Sequence, residues 1–225
     1  MMRRLTSLFI CLALLPAAAQ ALPTIECHCY QDRSYDMAKP GAADDYFLTT
    51  IQNTFFALTF DVTKKSVVKA KQQGASGADL WIAYWLADKS PRTAEDILAA
   101  RIQQADWPAT IAALKIDRTS LGEKFNAALT EPSAALDQVV VDDILLRLQI
   151  LPASELASLR LNRASNKEVL AAALLAAKTQ KQALLFLQQV QGQVATWDSL
   201  TTQNMINIQQ IDQELLTTFT TLKKG

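Results

Sequence analysis

Residues 76–115 read SGADLWIAYWLADKSPRTAEDILAARIQQADWPATIAALK, and the punctuation of that stretch decides the fold class. Ser76 followed by Asp79 has the form of a capping box, in which a hydroxyl accepts a helix N–H and an acid three residues on returns the bond. It opens an apolar helix over 80–87, which Ser90 and Pro91 end. Thr93 and Asp96 form a second box for a helix over 95–104. Asp106 caps a third, with Pro108 in its first turn where a missing N–H costs nothing. That helix reaches about Lys115. Short helices capped one after another predict an all-α chain, an array of short helices. Trp81 and Trp85 lie four apart on one helix face, beside Tyr84. An aromatic ligand platform would take this form, but so does a core with its indole N–H groups bonded at the margin, and the core is preferred.

In length and turn pattern the three helices resemble the tri-helical unit of helix-turn-helix proteins, with 95–98 through 107–114 as the matching segment. The resemblance implies that the helix beginning at Pro108 would lie in a major groove. That helix carries one lysine, Lys115, among Ala, Ile, Leu and Thr, too little to grip phosphate or read base edges. The formal net charge is zero, so the electrostatic term that holds nucleic acid is also missing. No nucleic-acid partner is expected.

Working outward, Thr63 can cap a basic helix over 64–73 that Gly74 stops. Before it, Phe47, Leu48, Ile51, Phe55 and Leu58 fall at helical spacing, although the threonines and paired phenylalanines of 42–60 also suit a strand. Asp44 and Asp45 suit a helix N-terminus. On the other side, Ser120 and Glu123 open a further helix, and Pro132 starts one reaching Ile150. The pair Asp142 and Asp143 points apart on a helix, so it makes no acid–base couple by itself.

A weak internal repeat is present. Asp79-Leu80-Trp81-Ile82 resembles Asp143-Ile144-Leu145-Leu146. After a turn holding Pro91 or Pro152, Asp96-Ile97 with Arg101-Ile102 matches Glu155-Leu156 with Arg160-Leu161. Asp106 then falls opposite Ser165, which heads a box with Glu168. A true duplication would argue for two tandem helical units in place of one catalytic pocket.

The segment 165–225 holds no proline and a single glycine, Gly192, before its terminal residue. Leu187, Val190, Val194, Trp197, Thr201, Asn204, Ile208, Ile211, Leu215, Thr218 and Leu222 follow a 3-4 spacing, the pattern of a coiled-coil seam with polar interruptions. A long C-terminal helix or helical hairpin is expected after a globular part over 44–164. As one helix, 180–223 would run ~66 Å at 1.5 Å per residue, so part of it would project or pair.

The N-terminus sets the compartment. Arg3 and Arg4, an apolar run over 5–15, Pro16 and the small residues before Ala21 have the order of a secretory signal, cut after Ala21. The run is too short for a membrane helix, which needs ~20 residues. No later stretch is apolar enough to cross a membrane. An exported chain, periplasmic or secreted and slightly acidic once Arg3 and Arg4 leave, is expected. An extended arm over 22–43 comes next and carries Cys27-His28-Cys29, with the only histidine. Two thiolates and an imidazole suit Cu(I) or Zn(II). A tight local disulfide, a bridge to another copy and thiol redox work fit the same residues, and the alternatives stay open. Asp32 and Arg33 could support such a site or form a surface ion pair. Neither C-x-x-C nor C-x-x-C-H is present, nor a Gly-rich phosphate loop, G-x-S-x-G or H-E-x-x-H. The expected function is non-enzymatic and without a cofactor: a scaffold or interaction protein pairing with itself or a protein partner along the seam Leu187, Val190, Val194, Trp197, Ile208, Ile211, Leu215 and Leu222. The alternative is a periplasmic thiol-redox or metal-binding protein using Cys27, His28 and Cys29.

Overall fold

In the computed structural model, which describes residues 43–131 and 134–224, the caps expected in 76–115 form, but Asp79 and Asp96 do not return the bond that would complete the two capping boxes. Ser76 Oγ accepts the Asp79 N–H at 2.9 Å and Thr93 Oγ1 the Asp96 N–H at 3.1 Å, while Asp106 Oδ1 accepts the Ala109 N–H at 2.8 Å. They open α3 (Gly77–Asp88), α4 (Ala94–Gln103) and α5 (Trp107–Ala113). Ahead of these lie α1 (Asp44–Thr59), so the strand alternative for 42–60 falls, and α2 (Lys64–Gln72), capped by Thr63. After them come α6 (Glu123–Ala128), α7 (Leu136–Arg147), α8 (Ala153–Leu161), α9 (Asn166–Thr179), α10 (Ala183–Gln191), α11 (Trp197–Gln203) and α12 (Ile211–Thr218), with short 3-10 turns at Arg118–Leu121, Ile208–Gln210 and Thr220–Lys224. The described chain is all helical.

Two helices serve as hubs. In α3, Leu80, Trp81, Ile82, Ala83, Trp85 and Leu86 are buried; α4 and α7 pack on it. In α9, every residue from Val169 to Ala176 is buried, and α1, α10, α11 and α12 lie around it. A helix apolar all round is stable only when enclosed, and the alanines of α9 let its neighbours approach closely. Trp81 and Trp85 are core as expected. Trp85 Nε1 donates to Asp143 Oδ2 at 2.9 Å, and Trp81 meets Phe56 edge-on at 4.8 Å between ring centroids. One hydrophobic core runs from Phe47 to Leu222, so residues on both sides of position 164 share it.

The C-terminal segment is not one long helix. α9 and α10 pack as a pair, in keeping with the hairpin alternative, but the chain breaks again after α10 and α11. The breaks use residues other than glycine in the left-handed region: Gln180 at φ 58°, Gln193 at 56° and Met205 at 55°. Such a residue costs about 1–2 kcal/mol, offset by the turn it closes. The Val194 N–H donates to Gln189 O and the Ile206 N–H to Thr201 O, both at 2.9 Å. This is the six-residue closure of a Schellman turn. Thr196 then caps α11, and Asn207 caps the 3-10 turn at Ile208–Gln210. The same closure ends α1, α2, α5, α7 and α8, at Val62, Ala75, Ile116, Ile150 and Ala164.

Two further boundaries differ from expectation. Asp117, not Ser120, opens the 3-10 turn before α6, its Oδ1 accepting the Thr119 N–H at 2.9 Å. The helix expected to run from Pro132 to Ile150 is confined to α7, among the described residues.

Candidate functional site

Cys27, His28 and Cys29 lie outside the described residues, as do Asp32, Arg33 and the signal-like segment. Among the described residues no group of three or more His, Cys, Asp or Glu side chains is placed to hold a metal, and no helix is long and apolar enough to cross a membrane.

The seam residues are located, and they do not form a stripe. Leu187, Trp197, Ile211, Leu215 and Leu222 are buried in the chain's own core, and Val190 and Ile208 pack against it. Val194 alone of the set is bare, at 81% exposure. The expected continuous pairing surface gives way for a physical reason. A run of short helices, each with one inward face, yields the same 3-4 spacing as a single coiled-coil helix.

The structure turns both repeat arginines back onto the preceding helix, but onto acids that the alignment does not equate: Asp79 aligns with Asp143, while Arg160 takes Asp142. In the first repeat unit, Arg101 on α4 reaches back toward Asp79 on α3, its Nε 3.5 Å from Oδ1 without a hydrogen bond. Its Nη1 donates to Gln104 O, just past its own helix. In the second unit Arg160 on α8 binds Asp142 on α7 through Nη2 at 2.6 Å and Nε at 3.0 Å, while Nη1 donates to Ala164 O at 2.8 Å. The adjacent acids of α7 do point apart: Asp142 faces α8, and Asp143 faces Trp85 on α3. Arg101 and Arg160 are the residues that the repeat alignment equates. Each is followed by a bare aliphatic, Ile102 at 85% and Leu161 at 84% exposure. Replacing Arg160 by Met should cost about 1–3 kcal/mol, since Asp142 Oδ1, partly buried, would lose both guanidinium donors; Arg101→Met should cost under about 1 kcal/mol. Urea unfolding of the two variants checks the order.

Arg160 also donates to Asn166 Oδ1 at 2.6 Å, and Asn166 Nδ2 donates to Asp137 Oδ2 at 2.8 Å, tying α7, α8 and α9. Burial pushes the Asp137 carboxyl above its ordinary value, against the pull of backbone N–H groups, Arg160 and Asn166. Burial likewise raises Asp44, whose Oδ1 accepts the Asp198 N–H at 2.8 Å; the residue expected at its own helix's N-terminus caps α11 as well. At Glu214 burial pushes upward too, but Lys178 and the Asn207 N–H outweigh it and hold the carboxyl low. A raised folded pKa means the folded chain binds the proton first. The cost of charged Asp137 is therefore relieved as pH falls through that raised value and restored as pH rises. Thermal midpoints of wild type and Asp137→Asn, compared across the acid range, should show wild type gaining on the variant as pH drops through that window. Glu214 acts oppositely, its contribution fading below its ordinary value.

At the far end of the second unit, Gln191 Nε2 donates to Asn162 O at 2.9 Å and joins the ends of α8 and α10. Leu161 directly precedes Asn162 in the chain and Val194 closely follows Gln191, and Leu185 on α10 is 40% exposed. Glu155 on α8 accepts the Ala183 N–H at 3.0 Å and fixes the other end of the same helix pair. Sequence reasoning alone does not mark Leu161 as a surface residue. The available signal is its place after the repeat arginine, at the end of a helix whose Leu156 and Leu159 already define the buried face. Comparison with known proteins finds no matching family model, no matching curated protein and no matching solved structure.

Proposed function

We propose that the chain is an exported, non-enzymatic helical interaction protein that pairs with a second copy through the α8–α10 end carrying Leu161 and Val194. The observation that carries this reading is Val194. In turns closed by the same six-residue bond, Ile116, Ala164 and Ile206 are buried and Val62, Ala75 and Ile150 are partly buried against the core, because the apolar residue after the left-handed position normally packs back on its helix. The turn after α10 leaves that residue in water, one hydrogen-bonded junction away from a second bare aliphatic. A small apolar patch is self-complementary about a two-fold axis, and the near-zero net charge offers no long-range repulsion between copies. The leader-like N-terminus supports the exported part.

Sedimentation of the leader-free chain over a range of concentrations tests it. A reversible dimer is expected, and Leu161→Asp should abolish it while changing folding stability by under about 0.5 kcal/mol, as exposed substitutions do. A monomer at every concentration overturns self-pairing. A second reading rests on Cys27, His28 and Cys29, the one sequence cluster with metal-ligand chemistry. Intact mass with and without alkylation, together with metal content, tests that reading. Two unreactive sulfurs and no bound metal would remove it.

A further inference from the structure

We infer that the cleft between α5 and the end of α6 binds a small aliphatic carboxylate, its hydrocarbon on the apolar floor and its charge between Lys115 and Arg118. The cleft measures about 110 Å³ and is floored by Pro108, Ile111, Ile116 and Leu129. Ile111, Ile116 and Leu129 are buried and bring no polar side-chain atom to it. Cofactor and metabolite pockets run to about 300–1,000 Å³, so this space takes one aliphatic side chain or a short branched acyl group and nothing larger.

The rim supplies the sign of the charge. Lys115 stands at the left-handed turn that ends α5 (φ 55°), and Arg118 begins the 3-10 turn after it. Neither forms an ion pair among the described residues. Arg118 Nε donates to Asn126 Oδ1 at 3.0 Å, which steadies the guanidinium and leaves its two terminal nitrogens to a ligand. The nearest acid in the turn, Asp117, is occupied elsewhere. Its carboxylate accepts the N–H and the hydroxyl of Thr119, and those bonds hold its pKa low. Two cations over a dry floor match a carboxylate on a branched hydrocarbon, the chemistry of a peptide's C-terminal leucine and of a free branched-chain acid alike. The inference rests on the cleft and is independent of the pairing reading.

Methyl-resolved NMR of the leader-free chain, titrated with N-acetyl-leucine, tests it. Shifts confined to the Ile111, Ile116 and Leu129 methyls are expected. N-acetyl-leucinamide, the same size without charge, should bind about fivefold more weakly, and each of Lys115→Gln and Arg118→Gln should weaken the acid by a similar factor, the scale of an exposed ion pair. Both variants change exposed side chains. Ala112→Leu, which fills the mouth from an exposed helical position, gives a second route to loss. A peptide ending in leucine and free isovalerate distinguish the sources: the peptide binding more tightly than isovalerate assigns a polypeptide C-terminus, and isovalerate binding more tightly than the peptide assigns a free acid. Equal binding of acid and amide, shifts mapping away from the cleft, or no shifts at all would each overturn the inference.

Discussion

Trp85→Ala should remove a large fraction of the chain's folding stability. Trp85 is 1% exposed on the hub helix α3, with its ring 4.5 Å from Phe125 and Lys89 Nζ 4.7 Å above it. Removing such a side chain costs about 3–5 kcal/mol in lost transfer energy and cavity. Asp143 would also lose the indole N–H, a bond at 2.9 Å. A partly buried carboxylate stripped of a donor adds roughly 1 kcal/mol, the low end of the penalty. Against a total of about 5–15 kcal/mol for a domain, the sum is a large fraction. Trp85→Phe separates the two contributions. It keeps most of the volume, loses only the donor, and should cost about 1–2 kcal/mol. Urea unfolding followed by circular dichroism measures both. An alanine variant no less stable than the phenylalanine variant would mean that α3 is not the support on which α4 and α7 rest.

Local chemistry is legible in the sequence; continuity is not. Ser76, Thr93, Asp106 and Ser165 announce helix starts because a short polar side chain before an apolar periodic run has few other uses. Helix ends are legible only where glycine or proline marks them, at Gly74 and Pro91. Gln180 and Met205 carry no such mark, and Gly192, which does stand at the end of α10, leaves the left-handed position to Gln193. Gln180, Gln193 and Met205 each adopt a left-handed conformation because the next helix has an inward face to bury, and that is a tertiary cause. The same blindness applies to Asp44, which sits at a helix N-terminus as its charge suggests but also serves a second helix more than a hundred residues away. The repeat alignment has real content: it pairs Arg101 with Arg160, and each reaches back to the helix preceding its own. It does not foresee that α3 packs extensively on α4 while α8 leans instead on α10. The two arginines reach back alike, but only Arg160 hydrogen-bonds the acid it meets, Asp142, which the alignment does not equate with Asp79, and the units differ in their neighbours. The cleft at Lys115 is invisible in sequence because Leu129, which lies beyond Gly122 at φ 78°, joins Lys115 and Arg118 only in the folded chain.

Leu215→Asp and Val194→Asp give the sharpest contrast the C-terminal segment allows, because both residues belong to the same 3-4 series. If that series were a seam between chains, both aspartates would dissolve an oligomer and leave the subunit folded. In this structure Leu215 is fully buried on α12, which packs on α1 and α9. An aspartate there either carries its charge into an apolar interior or forces the helix off. Loss of the leucine alone is worth about 2–5 kcal/mol, and an uncompensated buried carboxylate adds several more. Leu215→Asp should therefore abolish the cooperative unfolding transition and release α12 from hydrogen-exchange protection. Val194→Asp should leave stability unchanged to within about 0.5 kcal/mol and act only on sedimentation. The order cannot be reversed without moving α12 out of the core, since the side chain that separates the two outcomes is the one the rest of the chain encloses. A folded, monomeric Leu215→Asp chain would restore the seam as a surface.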